Sequence, residues 1–220
     1  MTTRYVLQVT LLEDLHTGTG TGGGGIDSVQ AIDREGRPVI RGTHVRGVLR
    51  EAANEYVRLA AKTLPDEHDK QIELRDQVIR LFGSESSRDD SPAGRNAPSR
   101  GALFVGSLRL KPSKDGTGDG FILWSSTARG RIERTTGDEP NSVRQEPLDR
   151  IPLEDTLRTV EFIPAGKCFE GEVSLLDERL KPLLDVCVKR VQCLGSSRTR
   201  GAGLVRMTLQ PQPPGRCHIM

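Results

Sequence analysis

The sequence predicts an α+β protein with a single ferredoxin-like, RRM-like core in the order β-α-β-β-α-β. Three observations predict this fold. Apolar residues alternate with period two in strand segments near both ends of the chain, and two amphipathic helices separate those strands. A chain of 220 residues is also long enough for one well-buried core. We interpret residues 1–220 as one domain. Its core is expected at 4–83, 101–110 and 160–210, with a lid loop at 84–100, an arm insertion at 111–159 and a tail at 211–220.

The amino-terminal half supplies the first strand and two helices. Alternating apolar residues predict a strand over 5–11 with one buried face. Apolar residues at helical spacing predict a first helix over 43–62, with Thr43 as its N-cap. A second helix, additional to the ferredoxin-like order, is expected over 70–82 and is stopped by Gly83.

The carboxy-terminal half supplies the last helix and the remaining strands. Apolar residues at i, i+3, i+4, i+7 and i+8 predict a helix over 180–191, with Pro182 in its first turn. Residues 111–159 contain glycine turns and too few apolar positions for a core of their own, so they are expected to project as an arm. Strands are expected at 102–110, 160–163, 169–175 and 205–209.

The charge of the chain is nearly balanced. The 32 Lys and Arg residues and the 30 Asp and Glu residues give a formal net charge of +2. Any surface that binds nucleic acid must therefore come from local clusters of basic residues. Aromatic residues make up only 4% of the chain, which disfavours an RNA reader that stacks bases on an aromatic sheet face and favours recognition of backbone and shape.

The cysteine and apolar patterns indicate a cellular compartment. The four cysteines contain no Cys-x-x-Cys pair and the four histidines are not grouped with them, so the pattern does not indicate a zinc site. No apolar run reaches the length of a signal-peptide core or of a membrane span. We therefore predict a reduced, cytoplasmic protein without a membrane partner.

Two glycine-rich, basic loops carry the strongest functional signal. The first occupies residues 16–28 and resumes at Arg41, before the first helix; the second occupies 195–203 and contains Arg198 and Arg200. Glycine allows close approach of the backbone to a bulky anion, and arginine supplies charge-assisted hydrogen bonds. Two such loops predict an RNA-binding protein, provided that they converge in space on one groove.

The first helix presents a basic face near its start. Arg46 and Arg50 lie in its first two turns, where the backbone amides and the helix dipole also favour an anion. The alternative is a basic face that is merely solvated.

Two other glycine-loop chemistries do not fit the sequence. The phosphate loop of nucleotide hydrolases ends in Gly-Lys-Ser/Thr, whereas the glycines here are followed by Ile26 and Asp27. A Rossmann site needs glycines that open directly into a helix, and about seventeen residues intervene here.

Together the motifs resemble one family. Residues 25–28, 33–40 and 42–50 look like the amino-terminal signature of the RAMP superfamily of CRISPR-associated proteins. The nearest branch is the repeated backbone subunit of type III effector complexes, which act in antiviral defence. The resemblance spans nearly the whole chain, because further matching segments follow in the same order at 81–83, 101–110, 132–137 and 195–203.

The resemblance implies a guide-RNA-binding protein. Members of the family have a ferredoxin-like core, polymerise along a guide RNA (crRNA), and push an arm, here 129–150, between guide and target bases. The implied partners are crRNA, target RNA, further copies or paralogues of the backbone subunit, and other type III effector subunits. The implied RNA contacts are His16, Arg41, Thr43, His44, Arg46 and Arg50, then Arg129, Arg131 and Arg134 in the arm, then Ser196, Arg198 and Arg200.

The resemblance also implies a catalytic residue. In the target-cleaving branch, a loop aspartate directly after the glycines carries metal-dependent cleavage of target RNA, and Asp27 occupies that position. A loop carboxylate can hold Mg²⁺ or Mn²⁺ weakly, largely through water, while the neighbouring 2′-hydroxyl attacks the phosphate. One alternative is a non-catalytic scaffold in which Asp27 only caps a turn. Another is a crRNA-processing ribonuclease with His16 as general base. Asp33 is expected to be a turn residue.

Overall fold

The fold is seen in a computed structural model, which describes residues 2–20, 28–63, 68–84, 100–112, 124–128, 158–196 and 201–212. These residues form eight β-strands and three α-helices, and the last helix follows a short 3₁₀ turn at Glu178–Leu180. The elements are β1 (Thr3–Leu11), β2 (Val39–Ile40), α1 (Gly42–Thr63), α2 (His68–Phe82), β3 (Leu103–Val105), β4 (Leu108–Leu110), β5 (Trp124–Ala128), β6 (Arg158–Phe162), β7 (Cys168–Leu175), α3 (Lys181–Arg190) and β8 (Val205–Pro211).

The main sheet is antiparallel, with the strand order β2-β4-β7-β1-β8 and with β3 also paired to β7. Strand β1 lies between β7 and β8, where Thr3 faces Leu175 and Tyr5 faces Pro211. Helix α1 lies between β1 and the interrupted strand β3–β4, which pairs along β7, and α3 connects β7 to β8. This is the ferredoxin-like arrangement, and it confirms the fold class that the sequence predicts.

One continuous apolar core joins the helices to a single face of the sheet. The alternating residues of β1 are buried, as are the residues of α1 that recur at helical spacing. Leu7, Leu49 and Phe169 are fully buried at its centre. Each such side chain contributes about 1.5–3 kcal/mol through the removal of apolar surface from water, so this packing fixes where the loops leave the core.

The strand predicted over 102–110 is interrupted, and in this detail the prediction is wrong. Val105 faces Val173 and Arg109 faces Glu170, so three residues on one strand oppose two on the other. One extra residue in an antiparallel pair is a β-bulge, which bends the strand. Helix α1 begins against this bulge, since a Cβ atom on Gly42 would lie 2.1 Å from the Val105 carbonyl oxygen.

The start of α1 also differs from the sequence expectation. The carbonyl oxygen of Arg41 accepts hydrogen bonds from the backbone N–H groups of His44 (3.0 Å) and Val45 (3.2 Å), so Arg41 is the cap residue. Thr43, the predicted N-cap, is instead an exposed residue of the first turn.

A separate two-stranded sheet forms the base of the predicted arm. Strand β5 pairs with β6, from Trp124 opposite Phe162 to Ala128 opposite Arg158. The segment from 129 to 157 connects the two strands and lies outside the described residues, as do residues 85–99 of the predicted lid and residues 213–220 of the tail. No helix in the described ranges is both long enough and apolar enough to span a membrane.

Candidate nucleic-acid interface

The two glycine loops meet beside the start of α1. The backbone N–H of Ser196 donates to the carbonyl oxygen of His16 (3.0 Å), and the N–H of Gly203 donates to that of Asp14 (2.8 Å). The N–H of Gly195 donates to Nε2 of His44 on α1 (3.0 Å). The predicted convergence of the two loops is thus confirmed for their described parts.

These contacts enclose a cleft of about 490 Å³, which we call the central cleft. It brings together five of the residues that the sequence singles out, from three distant parts of the chain. Arg41 and Thr43 are exposed residues of its lining, at the point where α1 begins. The cleft is lined by His16, Thr17, Gly18, Arg41, Thr43, His44, Gly195 and Ser196.

The glycines at this junction serve the packing of the chain against itself. Gly195 has a φ of +76°, and a Cβ atom there would lie 2.3 Å from the carbonyl oxygen of His16. A Cβ atom on Gly18 would lie 2.6 Å from Nε2 of the same histidine. At Gly195 glycine is required because the two loops touch, and at Gly18 it makes room for the His16 ring of the same loop, whereas the sequence argument assigned these glycines to the approach of a ligand.

His16 joins the first loop to the base of the arm. Its Nδ1 lies 2.6 Å from the carbonyl oxygen of Glu161 on β6, and its Nε2 lies 2.9 Å from Oγ of Ser28. Because a carbonyl can only accept, Nδ1 donates to it, and Nε2 shares a hydrogen bond with the Ser28 hydroxyl, which can either donate or accept. The ring is only 4% exposed and both nitrogens are engaged. This position favours a structural role for His16 over that of a general base.

Replacement of His16 should therefore lower stability. His16→Phe keeps a ring of similar size but leaves the Ser28 hydroxyl and the Glu161 carbonyl without their partner, for an expected loss of about 2 kcal/mol in the free energy of unfolding. Urea denaturation measures this loss of stability. The control is His68→Phe, at the exposed first residue of α2, which should change the free energy of unfolding by less than about 0.5 kcal/mol. Equal stability of the two variants would contradict the structural role.

A second polar network fixes the exit of the first loop, and sequence reasoning missed it. The buried side-chain amide of Gln30 accepts from the N–H of Thr17 (2.8 Å) and donates to the Thr17 hydroxyl (2.6 Å). The N–H of Gln30 donates to the carboxylate of Glu161 (2.8 Å). Because Gln30 and Glu161 are 131 positions apart, no local pattern could reveal the contact.

Arg46 and Arg50 hold the end of α2. Nη2 of Arg46 donates to the carbonyl oxygen of Phe82 (2.6 Å), and Nη2 of Arg50 donates to that of Gly83 (3.2 Å). Cationic groups at a helix C-terminus donate hydrogen bonds to its last carbonyls and interact favourably with the negative end of its dipole. The alternative of a merely solvated basic face is therefore wrong for these two residues, and their contact with RNA stays a prediction.

Six of the predicted site residues lie outside the described residues: Asp27, Arg129, Arg131, Arg134, Arg198 and Arg200. The residue after Asp27 is placed, however. Ser28 pairs with Val160 of β6, and its carbonyl oxygen accepts from the N–H of Glu161 (3.1 Å). The described part of the chain contains no group of three or more His, Cys, Asp or Glu residues that could hold a metal ion.

The fold and the central cleft define a ferredoxin-like protein in which two distant loops meet beside the start of a helix. The sequence profile of the RAMP superfamily matches residues 8–206, and the chain belongs to this superfamily. The comparison with curated proteins found no match.

Solved structures share the fold at low sequence identity. A chain of the type III-B Cmr-beta complex bound to cognate target RNA, determined by cryo-electron microscopy, is 14% identical at a TM-score of 0.60, over 96% of this chain and 61% of that one. A chain of type III-B Cmr-beta in its apo state is 12% identical at a TM-score of 0.58, over 94% of this chain and 97% of that one. A chain of a type IV-B CRISPR complex is 17% identical at a TM-score of 0.58, over 99% of this chain and 92% of that one.

Proposed function

We propose that this protein is a backbone subunit of a CRISPR type III effector complex, which binds crRNA along its phosphates and cleaves complementary target RNA. The observation that carries the proposal is the central cleft, where both glycine loops and the start of α1 meet. Membership of the RAMP superfamily and the likeness to Cmr-beta chains support it. Its partners are then crRNA, target RNA, further copies or paralogues of itself and other effector subunits.

Phosphate binding in the central cleft follows from its donors. Arg41 is exposed and has no hydrogen-bond or ion-pair partner among the described residues through its guanidinium group. Beside it lies Thr43, an exposed residue that offers a hydroxyl and a backbone N–H at the start of α1. The N–H groups of Gly42, His44 and Val45 are already engaged by the Ser107 hydroxyl and the Arg41 carbonyl. Together Arg41 and Thr43 form a site for an oxyanion at the positive end of a helix dipole. Arginine adds a charge-assisted contact that strengthens as salt is lowered.

The test is RNA binding by Arg41→Gln. Loss of one charge-assisted phosphate contact should weaken the affinity for single-stranded RNA about tenfold at low salt. It should also reduce the slope of log affinity against log salt by about 0.7. Fluorescence anisotropy across a salt series measures both. Arg75→Gln, which removes an exposed charge on α2 outside the central cleft, should retain the affinity and slope of the parent protein. Binding by the parent protein that does not depend on salt would contradict the proposal.

Cleavage is assigned to Asp27. A single loop carboxylate suits Mg²⁺ or Mn²⁺ that keeps most of its water ligands, and such an ion would stabilise the charge that develops when a 2′-hydroxyl attacks the adjacent phosphate. The anchoring of Ser28 to β6 supports the assignment, because it holds the loop next to Asp27 at the base of the arm. An arm that separates target bases there would hold the 2′-oxygen in line with the phosphorus.

A non-catalytic scaffold remains the second candidate. One observation favours it: among the residues that the structure describes, those that line the central cleft include no carboxylate. The scaffold would bind crRNA through the same cleft and would differ from the nuclease only at Asp27. The crRNA-processing activity has less support, because both nitrogens of His16 are engaged within the protein.

A further inference from the structure

A second cleft, of about 520 Å³, lies beside the central cleft at the edge of the sheet. We call it the edge cleft. It is formed by the turn before β2, by β2 itself and by the segment around β4, which pairs with β2. Arg41, the single residue between β2 and α1, lines both clefts, so the two are contiguous. The edge cleft is lined by Ile32, Asp33, Arg34, Glu35, Val39, Arg41, Ser107 and Arg109.

The two carboxylates of the edge cleft are both paired with one arginine of the same turn. Oδ1 of Asp33 accepts from the N–H groups of Glu35 and Arg37, both at 2.9 Å, which confirms Asp33 as a turn residue. Burial alone would raise the pKa of Asp33, but these hydrogen bonds and the nearby arginines lower it below its ordinary value. The guanidinium group of Arg37 forms ion pairs with Asp33 (3.6 Å) and with Glu35.

Three arginines of the edge cleft remain available to a ligand. Arg34, Arg41 and Arg109 are all exposed. In the part of the chain that the structure describes, none of them forms a hydrogen bond or ion pair through its guanidinium group, although Arg109 is near enough to Asp33 to lower its pKa. With Arg37 paired to the two acids, the cleft presents an excess of positive charge.

We propose that the edge cleft is a second phosphate subsite, which extends the path of the RNA strand that occupies the central cleft. The proposal rests on the proposed function. Arg41 would contact the phosphate at the junction, and Arg34 and Arg109 would contact the following nucleotide. Ile32, which is 53% exposed at the rim, offers an apolar surface to the ribose or base. An arginine cluster without aromatic residues fits a backbone contact that is independent of sequence.

The test uses the full chain and oligouridines of about 4, 8 and 12 nucleotides, a range that spans the site sizes of small single-strand binders. For the parent protein, affinity should rise with length as the edge cleft fills. The double variant Arg34→Gln/Arg109→Gln should match the parent protein on the shortest oligomer that binds. On the longest one it should lose at least about tenfold in affinity and about 1.4 in salt slope, because two phosphate contacts are removed. Arg58→Gln/Arg75→Gln, the same charge change on α1 and α2, should retain the length dependence.

The outcomes separate this inference from the proposed function. If the parent protein binds RNA and the Arg34→Gln/Arg109→Gln variant matches it at every length, the second subsite is excluded while the proposed function stands. The basic cleft would then be better matched to an acidic segment of a protein partner. An equal loss at all lengths, shared by the control variant, would show a general effect of charge and would also exclude the subsite. If the parent protein binds none of the oligomers, the proposed function falls together with the inference.

Discussion

Replacement of Asp27 by Ala in the assembled effector complex should abolish cleavage of target RNA at the positions that this subunit faces. The loss should be on the order of 100-fold or more, because the carboxylate is the group assigned to the catalytic ion, and the described residues that line the central cleft include no acid that could replace it. Binding of crRNA should persist, since its contacts come from the arginines, hydroxyls and amides of the cleft. A single-turnover cleavage assay with labelled target measures the first effect, and filter binding of crRNA measures the second.

The control for this experiment is Glu13→Ala. Glu13 is an exposed carboxylate shortly before the first glycine loop, and it lines neither cleft. Its removal changes the net charge by the same amount and should leave the cleavage rate unaltered. If the Asp27→Ala complex cuts target as fast as the parent complex, the nuclease assignment fails and the scaffold is correct. If both variants lose activity equally, the effect belongs to charge and not to Asp27.

The sequence was sufficient for the fold, because its strands and helices follow patterns that repeat locally. The convergence of the two loops was a condition of the RNA-binding prediction, and only the structure reveals it, since the contacts join opposite ends of the chain. Alternating residues define β1 and β7, and helical spacing defines α1 and α3. The bulge between β3 and β4 could not be predicted in this way. It depends on the register against β7, more than 60 residues later, and on the contact of Gly42 with the Val105 carbonyl.

The roles of individual arginines were predicted less well, for a physical reason. Arg41 and Arg46 lie five positions apart in a sequence with the same basic character, yet one guanidinium group is exposed at the cleft and the other holds the Phe82 carbonyl. Which of these occurs depends on where the end of α2 packs against α1. That is a tertiary property without a local signal, so the assignment of arginines to RNA or to the fold needs the structure.

The second large effect that we expect is a loss of stability when a glycine of the second loop is replaced. Gly203→Ala should lower the free energy of unfolding by about 3 kcal/mol, measured by urea denaturation. Gly203 has a φ of +81°, where a side chain adds about 1–2 kcal/mol of backbone strain. In addition, its Cβ atom would lie 2.0 Å from the Leu194 carbonyl oxygen, a backbone atom that cannot move aside cheaply.

Gly201→Ala is the matched control, because Gly201 has a φ of +82° and a Cβ atom there would meet nothing within 4 Å. It should show the backbone strain alone, about 1–2 kcal/mol. The difference between the two variants therefore measures the close contact between the ends of the loop. Because Gly203 also donates to the Asp14 carbonyl (2.8 Å), displacement of this residue should loosen the central cleft and weaken RNA binding more than Gly201→Ala does. Equal stability and equal RNA affinity of the two variants would show that the closure of the second loop does not shape the cleft.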